Sequence, residues 1–337
     1  MDADGGKAAL SGGGDLVFSS DSAGSTRLAC DVQQFVTDNN PANALVEVYV
    51  KIPSVPTASN TVFYMWWGNA AASQPARNAS YGMEATWNSS YKAVYHLSEA
   101  WGTGADNFKD ATASVKHGTG SITAGAPTLS SVAGKWGGKS IRCTDAVSYS
   151  KVYQIAISGT SPLDFNVRPS TIEAWIKSYD TQSGWWIGKG SSSNTNWNMR
   201  GIGLNTGDHK VWWNRSAGDT SLKSSGTLSN DTWTNIAVTT ASDGSMVFYI
   251  SGSASGTGGA GTISSENGTD TLLLGTGNET ARQEPWKGNM DEIRILNTQK
   301  ASTYFSTVYN NHNAPGSFSS YGTTQNMAKR GLLWAFI

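Results

Sequence analysis

The chain has 337 residues, of which 38% are hydrophobic and only 15% charged, and its 24 basic and 25 acidic side chains leave a net charge of −1. This length accommodates two domains with sizeable cores, and without a basic excess there is no phosphate-neutralising surface for nucleic acid. No apolar run reaches the length of a membrane-spanning helix, and the opening Met-Asp-Ala-Asp-Gly-Gly carries no export-signal pattern.

With few charges, the polar surface must come from Ser, Thr, Asn and Gly, a composition that favours short strands and turns over exposed helices. After a Gly-rich start, Asp15–Ser19 reads as a short strand. In Ala44–Pro53, Leu45, Glu47, Tyr49 and Lys51 alternate with Val46, Val48, Val50 and Ile52, the pattern of a half-buried strand ended by proline. Thr61–Asn69 is apolar on both phases, which predicts a central strand covered on both faces. Residues 70–90 are small and polar and read as a junction, with a boundary near residue 85.

Further strands are expected around Ala93–Leu97, Ser140–Cys143, Thr171–Lys177, Gly184–Gly188, Lys210–Asn214, Thr234–Thr239, Met246–Ile250, Thr271–Gly275 and Asp291–Leu296, with one helix at Ala301–Asn310. Many short strands separated by turn residues predict an all-β fold, a sandwich or barrel. The expected domains are a small β-rich unit at 1–85, a sandwich at 86–313 and a tail at 314–337. The tail ends in the apolar run Gly331–Ile337, which must pack on its own domain or a partner.

Neighbouring strand residues point to opposite faces, so the two members of a Trp-Trp pair cannot share one core. Trp213 lies in phase with Val211 and is expected inside, which leaves Trp212 outside with Lys210 and Asn214. By the same rule Trp185 accompanies Ile187 and Trp186 faces away, while Trp175 shares the side of Glu173 and Lys177. If they meet on one sheet, Trp175, Trp186 and Trp212 form an aromatic platform suited to the C–H face of a sugar ring. The competing expectation is that a loop or the first domain covers them.

The stretches Ala93–Glu99, Lys109–Ser114, Thr171–Lys177, Trp233–Thr239, Met246–Gly252 and Trp286–Ile295 occur in an order that resembles the concanavalin A-like, laminin-G-type lectin domain. The resemblance spans about residues 90–313 and implies a jelly-roll β-sandwich. Upstream, Gly13–Asp21 and Val62–Ala70 resemble a domain of unknown function that precedes laminin-G-like domains in phage structural proteins and bacterial surface proteins. That domain normally begins with further strand-forming sequence, so here either the domain is a short variant or the sequence starts inside a longer protein.

Laminin-G-like domains often hold a structural calcium, which by resemblance implies Asp110 with Asp291, and Asp106 in reserve, as ligands. Asp110 could equally serve only to cap a turn. The two cysteines, Cys30 and Cys143, read as structural thiols. A glycosidase needs paired carboxylates, and the Glu-x-Asp-x-x-Glu run of concanavalin A-like glycosidases is absent. The nearest carboxylates are Glu173, Asp291 and Glu292. No His-Glu-x-x-His or Gly-x-Ser-x-Gly motif appears either.

These readings describe a non-catalytic surface module that binds glycans, neighbouring virion subunits or copies of itself. Its expected place is the virion surface, as capsid decoration or tail component. The alternatives are a bacterial surface adhesin and a polysaccharide-degrading enzyme on the same fold.

Overall fold

A computed structural model describes residues 10–37, 44–56, 59–125, 127–136, 138–144, 152–158, 163, 168–179, 184–189, 200–204, 207–214, 222–259, 271–277, 285–322, 325–327 and 330–336. Among these residues the strands form four sheets, of six, seven, eight and two strands. The seven- and eight-stranded sheets stack face to face as the jelly-roll-type sandwich that the alternating patterns predicted.

Alternation builds this core directly. From the central strand Ser170–Ser178, Ile172, Ala174 and Ile176 point inward and meet Ile187, Ile202, Leu204 and Trp213 of the opposite sheet in one apolar cluster. That strand lies between Thr234–Thr240 and Gly288–Leu296 in the eight-stranded sheet. Its odd-numbered partners, Thr171, Glu173 and Trp175, point to the outer face, yet they too are buried.

Two elements cover that outer face. The helix Ser302–Asn313 brings Phe305, Tyr309 and His312, spaced as one helical stripe, onto the sheet. Phe305 stacks on Tyr249 at 3.9 Å, and Tyr309 stacks on Trp175 at 5.9 Å. The second cover is the ribbon formed by Cys30–Val36 and Leu45–Val50. Val32, Phe35, Val48 and Val50 pack into the N-terminal core, while Asp31, Glu47 and Tyr49 reach toward the sandwich. The half-buried alternation of Leu45–Val50 thus has a partner on each side.

The six-stranded sheet joins three strands from the N-terminal part of the chain to three from residues 320–336. Its strand Val62–Trp67 runs between Val17–Ser19 and Arg330–Phe336, pairing with the latter from Gly331 opposite Trp67 to Phe336 opposite Val62. The segment read as a tail therefore contributes three strands, Ser320–Tyr321, Gln325–Met327 and Arg330–Phe336, to the first domain's sheet. The two N-terminal motifs also meet. Asp15 is buried, and its carboxylate accepts hydrogen bonds from the backbone N–H groups of Leu10 (2.6 Å), Gly68 and Asn69 (3.1 Å).

Asp15→Ala leaves those three amides without their charged acceptor. Hydrogen bonds to charged groups contribute about 1.5–3 kcal/mol each at most, so a loss of about 2–3 kcal/mol in urea unfolding is expected. Faster hydrogen exchange at Gly68 and Asn69 should accompany it.

Candidate functional site

The seven-stranded sheet carries a row of residues on the face away from the core. Trp185 stands opposite Gly203, Gly203 opposite Trp212, and Trp212 opposite Lys223 on four successive strands. The row exists because the register between Gly184–Lys189 and Arg200–Leu204 shifts between Trp185 and Ile187. This bulge gives one extra residue to the strand and reverses the phase of everything before it.

Gly203 is required at its place in the row. A Cβ there would lie 2.5 Å from the Gly184 carbonyl oxygen and 3.1 Å from the Trp185 ring. Without it, Trp185 and Trp212 lean together, their ring centroids 4.8 Å apart and 35° from parallel. Trp185 is fully buried and backs Trp212, which stays half-buried at the surface. Beside the ring, the exposed Lys223 ammonium pairs with Asp208 Oδ2 at 2.9 Å, and Asp208 Oδ1 accepts the Lys210 backbone N–H at 3.3 Å. Slight burial works against ionisation of Asp208. The Lys223 hydrogen bond, the Lys210 N–H and both ammonium charges outweigh it and hold the carboxyl below its usual range.

Of the three tryptophans expected on a platform, only Trp212 takes that position. Trp186 is wholly buried in the sandwich core, because the bulge sends it inward with Ile187 and turns Trp185 outward instead. Trp175 does lie in phase with Glu173, but it is 1% exposed. Tyr309 stacks on it, Trp136 meets it edge-on at 5.9 Å, and its Nε1 donates to His312 Nδ1 at 3.2 Å. The Lys135 ammonium caps the ring at 4.7 Å. Trp213 faces the core, as its phase with Val211 predicts.

The aspartates proposed for calcium take separate structural tasks. Asp110 is buried, and its two oxygens accept from the N–H groups of Val94, Thr112 and Lys116 and from the Thr112 hydroxyl, at 2.9–3.0 Å. Asp106 is exposed in a left-handed turn position. Asp291 lies buried with one oxygen accepting the Lys135 N–H at 2.9 Å. Among the described residues, no group of three or more His, Cys, Asp or Glu side chains could hold a metal ion.

The densest set of charged groups lies where the ribbon meets the eight-stranded sheet. His96 Nε2 is 3.0 Å from Asp31 Oδ2, and its Nδ1 bonds to Glu292 Oε1. Arg294 pairs with Glu292 at 2.8 Å and with Glu173 at 3.0 Å, and its guanidinium lies over the Tyr49 and Trp87 rings. Trp87 Nε1 donates to Asp31 at 2.9 Å. Burial alone would discharge His96, but the adjacent Glu292 and Asp31 charges raise its pKa well above the usual histidine value. Burial, reinforced by the Glu292 charge, pushes Glu47 up to about 7 and Asp291 well above the usual carboxylate range.

Asp31, His96, Glu292 and Arg294 are each 5% exposed or less. Glu173 and Asp291, the carboxylates a hydrolase would have used, lie in this same closed interface. The cluster fastens the ribbon to the sandwich, and its members are closed off from solvent among the described residues. Sequence reasoning missed it because its members are distant in the chain. The signal was the polar phase of the ribbon, Glu47 and Tyr49.

Two stacked sheets, an outer face clamped by ribbon and helix, and a surface tryptophan on the opposite sheet define a jelly-roll-type β-sandwich module. Residues 153–302 match the model of the concanavalin A-like lectin/glucanases superfamily, and a domain of that superfamily occupies this part of the chain. No curated protein matches the sequence. Among solved structures, domain 4 of AbnA, a GH43 extracellular arabinanase from Geobacillus stearothermophilus in complex with arabinotriose, is 18% identical, with 65% of this chain and 98% of that chain covered at a TM-score of 0.48. The native heptameric SAP-like pentraxin from Limulus polyphemus is 17% identical, with 42% and 70% covered at 0.35. The binding domain of botulinum neurotoxin serotype D/C is 12% identical, with 66% and 52% covered at 0.46, so this chain spans about half of that one. At these identities the likeness is one of fold.

Proposed function

We propose that the chain is a non-catalytic binding module displayed on the outside of a particle or cell, and that the Trp212 face takes up a glycan. The observation that carries this reading is the row Trp185, Gly203, Trp212 and Lys223. It supports one indole ring from behind, leaves it half-exposed and places an ion pair at its edge. A sugar ring offers the complementary surface, an apolar C–H face bordered by hydroxyls that hydrogen-bond to charged groups. The superfamily match over residues 153–302 supports the same reading. Placement on a virion, as capsid decoration or tail component, rests on the resemblance of the two N-terminal motifs and on the tandem they form with the sandwich.

Trp212→Ala removes the stacking surface and is expected to weaken glycan binding at least tenfold, about 1.4 kcal/mol, measured well below the variant's thermal midpoint because the truncation also uncovers Trp185. A glycan array followed by calorimetry on the best ligand measures this. A wild-type chain that binds nothing on the array, or a variant that binds as well as wild type, would sink the proposal. Immunogold labelling of intact particles tests the virion placement separately.

A further inference from the structure

We infer that two copies of this chain exchange residues 320–336, each copy completing the other's six-stranded sheet. The partner at this sheet edge is therefore a second molecule of the same protein.

The exchanged unit holds itself together, because Ser320–Tyr321 and Gln325–Met327 both pair with Arg330–Phe336. Among the described residues, strand pairing joins this unit to the rest of the sheet along one seam, where Gly331 to Phe336 face Trp67 to Val62. The acceptor strand Val62–Trp67 carries no charge and no proline, and Val17–Ser19 already occupies its opposite edge. An open edge of that composition is a template for pairing with another chain. Phe63, Met65 and Trp67 pack with Leu16, Phe18 and Leu28 in the N-terminal core, so contacts outside the seam hold the acceptor edge.

The connection to this unit is built as a hinge. The helix Ser302–Asn313 is fixed to the sandwich through Phe305 and Tyr309. Ala314, Pro315, Gly316 and Ser317, which follow it, are all exposed. The hydrogen bonds here are local, from the N–H groups of Ala314, Ser317 and Ser319 to the carbonyls of Asn310, Ala314 and Pro315. A side-chain carbon added at Gly316 would meet nothing within 4 Å. Among the described residues, a change of direction at this point breaks no hydrogen bond to either sheet of the sandwich. Exchange replaces each seam hydrogen bond by the same bond to a copy, so the two forms differ in the hinge and in the entropy of joining two molecules. Chain order favours the copy. The acceptor strand precedes the sandwich and its partner strand follows it, so the edge stays open while the sandwich folds and segments of neighbouring copies compete for it.

The test mixes two full-length variants, Val62→Cys and Phe336→Cys, whose new thiols stand opposite each other across the seam. The native Cys30 and Cys143 thiols are buried. The two variants are unfolded together in urea, refolded at about 2 µM or about 200 µM, and treated with a short bismaleimide. A linked heterodimer is expected, absent when either variant is refolded alone, and its share should rise at least about fivefold between the two concentrations. Light scattering on the wild-type chain needs no cysteine and should show a dimer fraction that grows with the refolding concentration. Inserting about six Gly and Ser residues after Gly316 should lower that fraction severalfold, because a longer hinge lets the unit fold back on its own chain. Monomers alone at every concentration would overturn the inference. So would dimers that ignore the hinge insertion and give no link across the seam, since the contact would then lie elsewhere.

Discussion

Arg294→Met should lower the free energy of unfolding by about 3–5 kcal/mol, because it removes one partner from a buried ionic network and strands the others. Arg294 lies at the junction of that network, with Glu173 on one arm of its guanidinium and Glu292 on the other. All three side chains are 4% exposed or less, so water cannot replace the lost contacts. Burial already pushes the Glu173 pKa up, and Arg294 is the main opposing influence. In the variant, Glu173 must take up a proton or remain as an unpaired buried charge, and either outcome costs stability. The guanidinium also packs over Tyr49 and Trp87, so its removal loosens the ribbon from the sandwich. Urea unfolding measures the loss. The double variant Arg294→Met, Glu173→Gln should recover part of it, since the stranded carboxylate is gone. A single variant within 1 kcal/mol of wild type would show that the network contributes little.

How much of this molecule was legible in its sequence depends on whether the information was local. The inward residues of Thr171–Lys177, the burial of Trp213 and the helix near residue 301 follow from periodicity, and the structure places them so. The phase of Trp175 was also legible, but its fate was not. The residues that cover it, Trp136, Tyr309 and His312, come from two distant segments. Trp186 failed for a different reason. A bulge shifts side chains by one position, and Gly184-Trp-Trp-Ile-Gly188 reads as an unbroken strand until its pairing with Arg200–Leu204 is known. The Asp31, His96 and Glu292 contacts join residues 65 and 196 positions apart, beyond the reach of any windowed pattern. The Gly-Gly-Asp and Trp-Trp-Gly-Asn motifs sit between these cases. Each was visible alone, and only the fold shows that the Asp15 carboxylate of one holds the Gly68 and Asn69 backbone of the other.

The same interface makes stability depend on pH, and Glu47 is one of the groups responsible. Glu47 faces the Glu292 and Asp31 carboxylates as well as the His96 and Arg294 cations. Burial first, and the Glu292 charge second, raise its pKa from 4.5 to about 7. Between those two values the folded chain holds a proton at Glu47 that the unfolded chain has released, so stability falls as pH rises through this window. Glu47→Gln keeps the shape and stays neutral at every pH. It should match wild type near pH 4.5 and exceed it by about 2 kcal/mol at pH 8, a figure reduced from the full shift because the side chain is partly solvated. His96 acts in the same direction. Its raised pKa contributes stability that is complete below pH 6.5 and lost as pH climbs through the folded-state value. Because Glu47 faces His96, subtracting one unfolding curve from the other reports Glu47 together with its coupling to that ring. Paired urea titrations of wild type and variant from pH 4.5 to 8 measure the contribution of Glu47 and its charge couplings. A stability difference that stays constant over that range would show that Glu47 does not titrate against its buried neighbours.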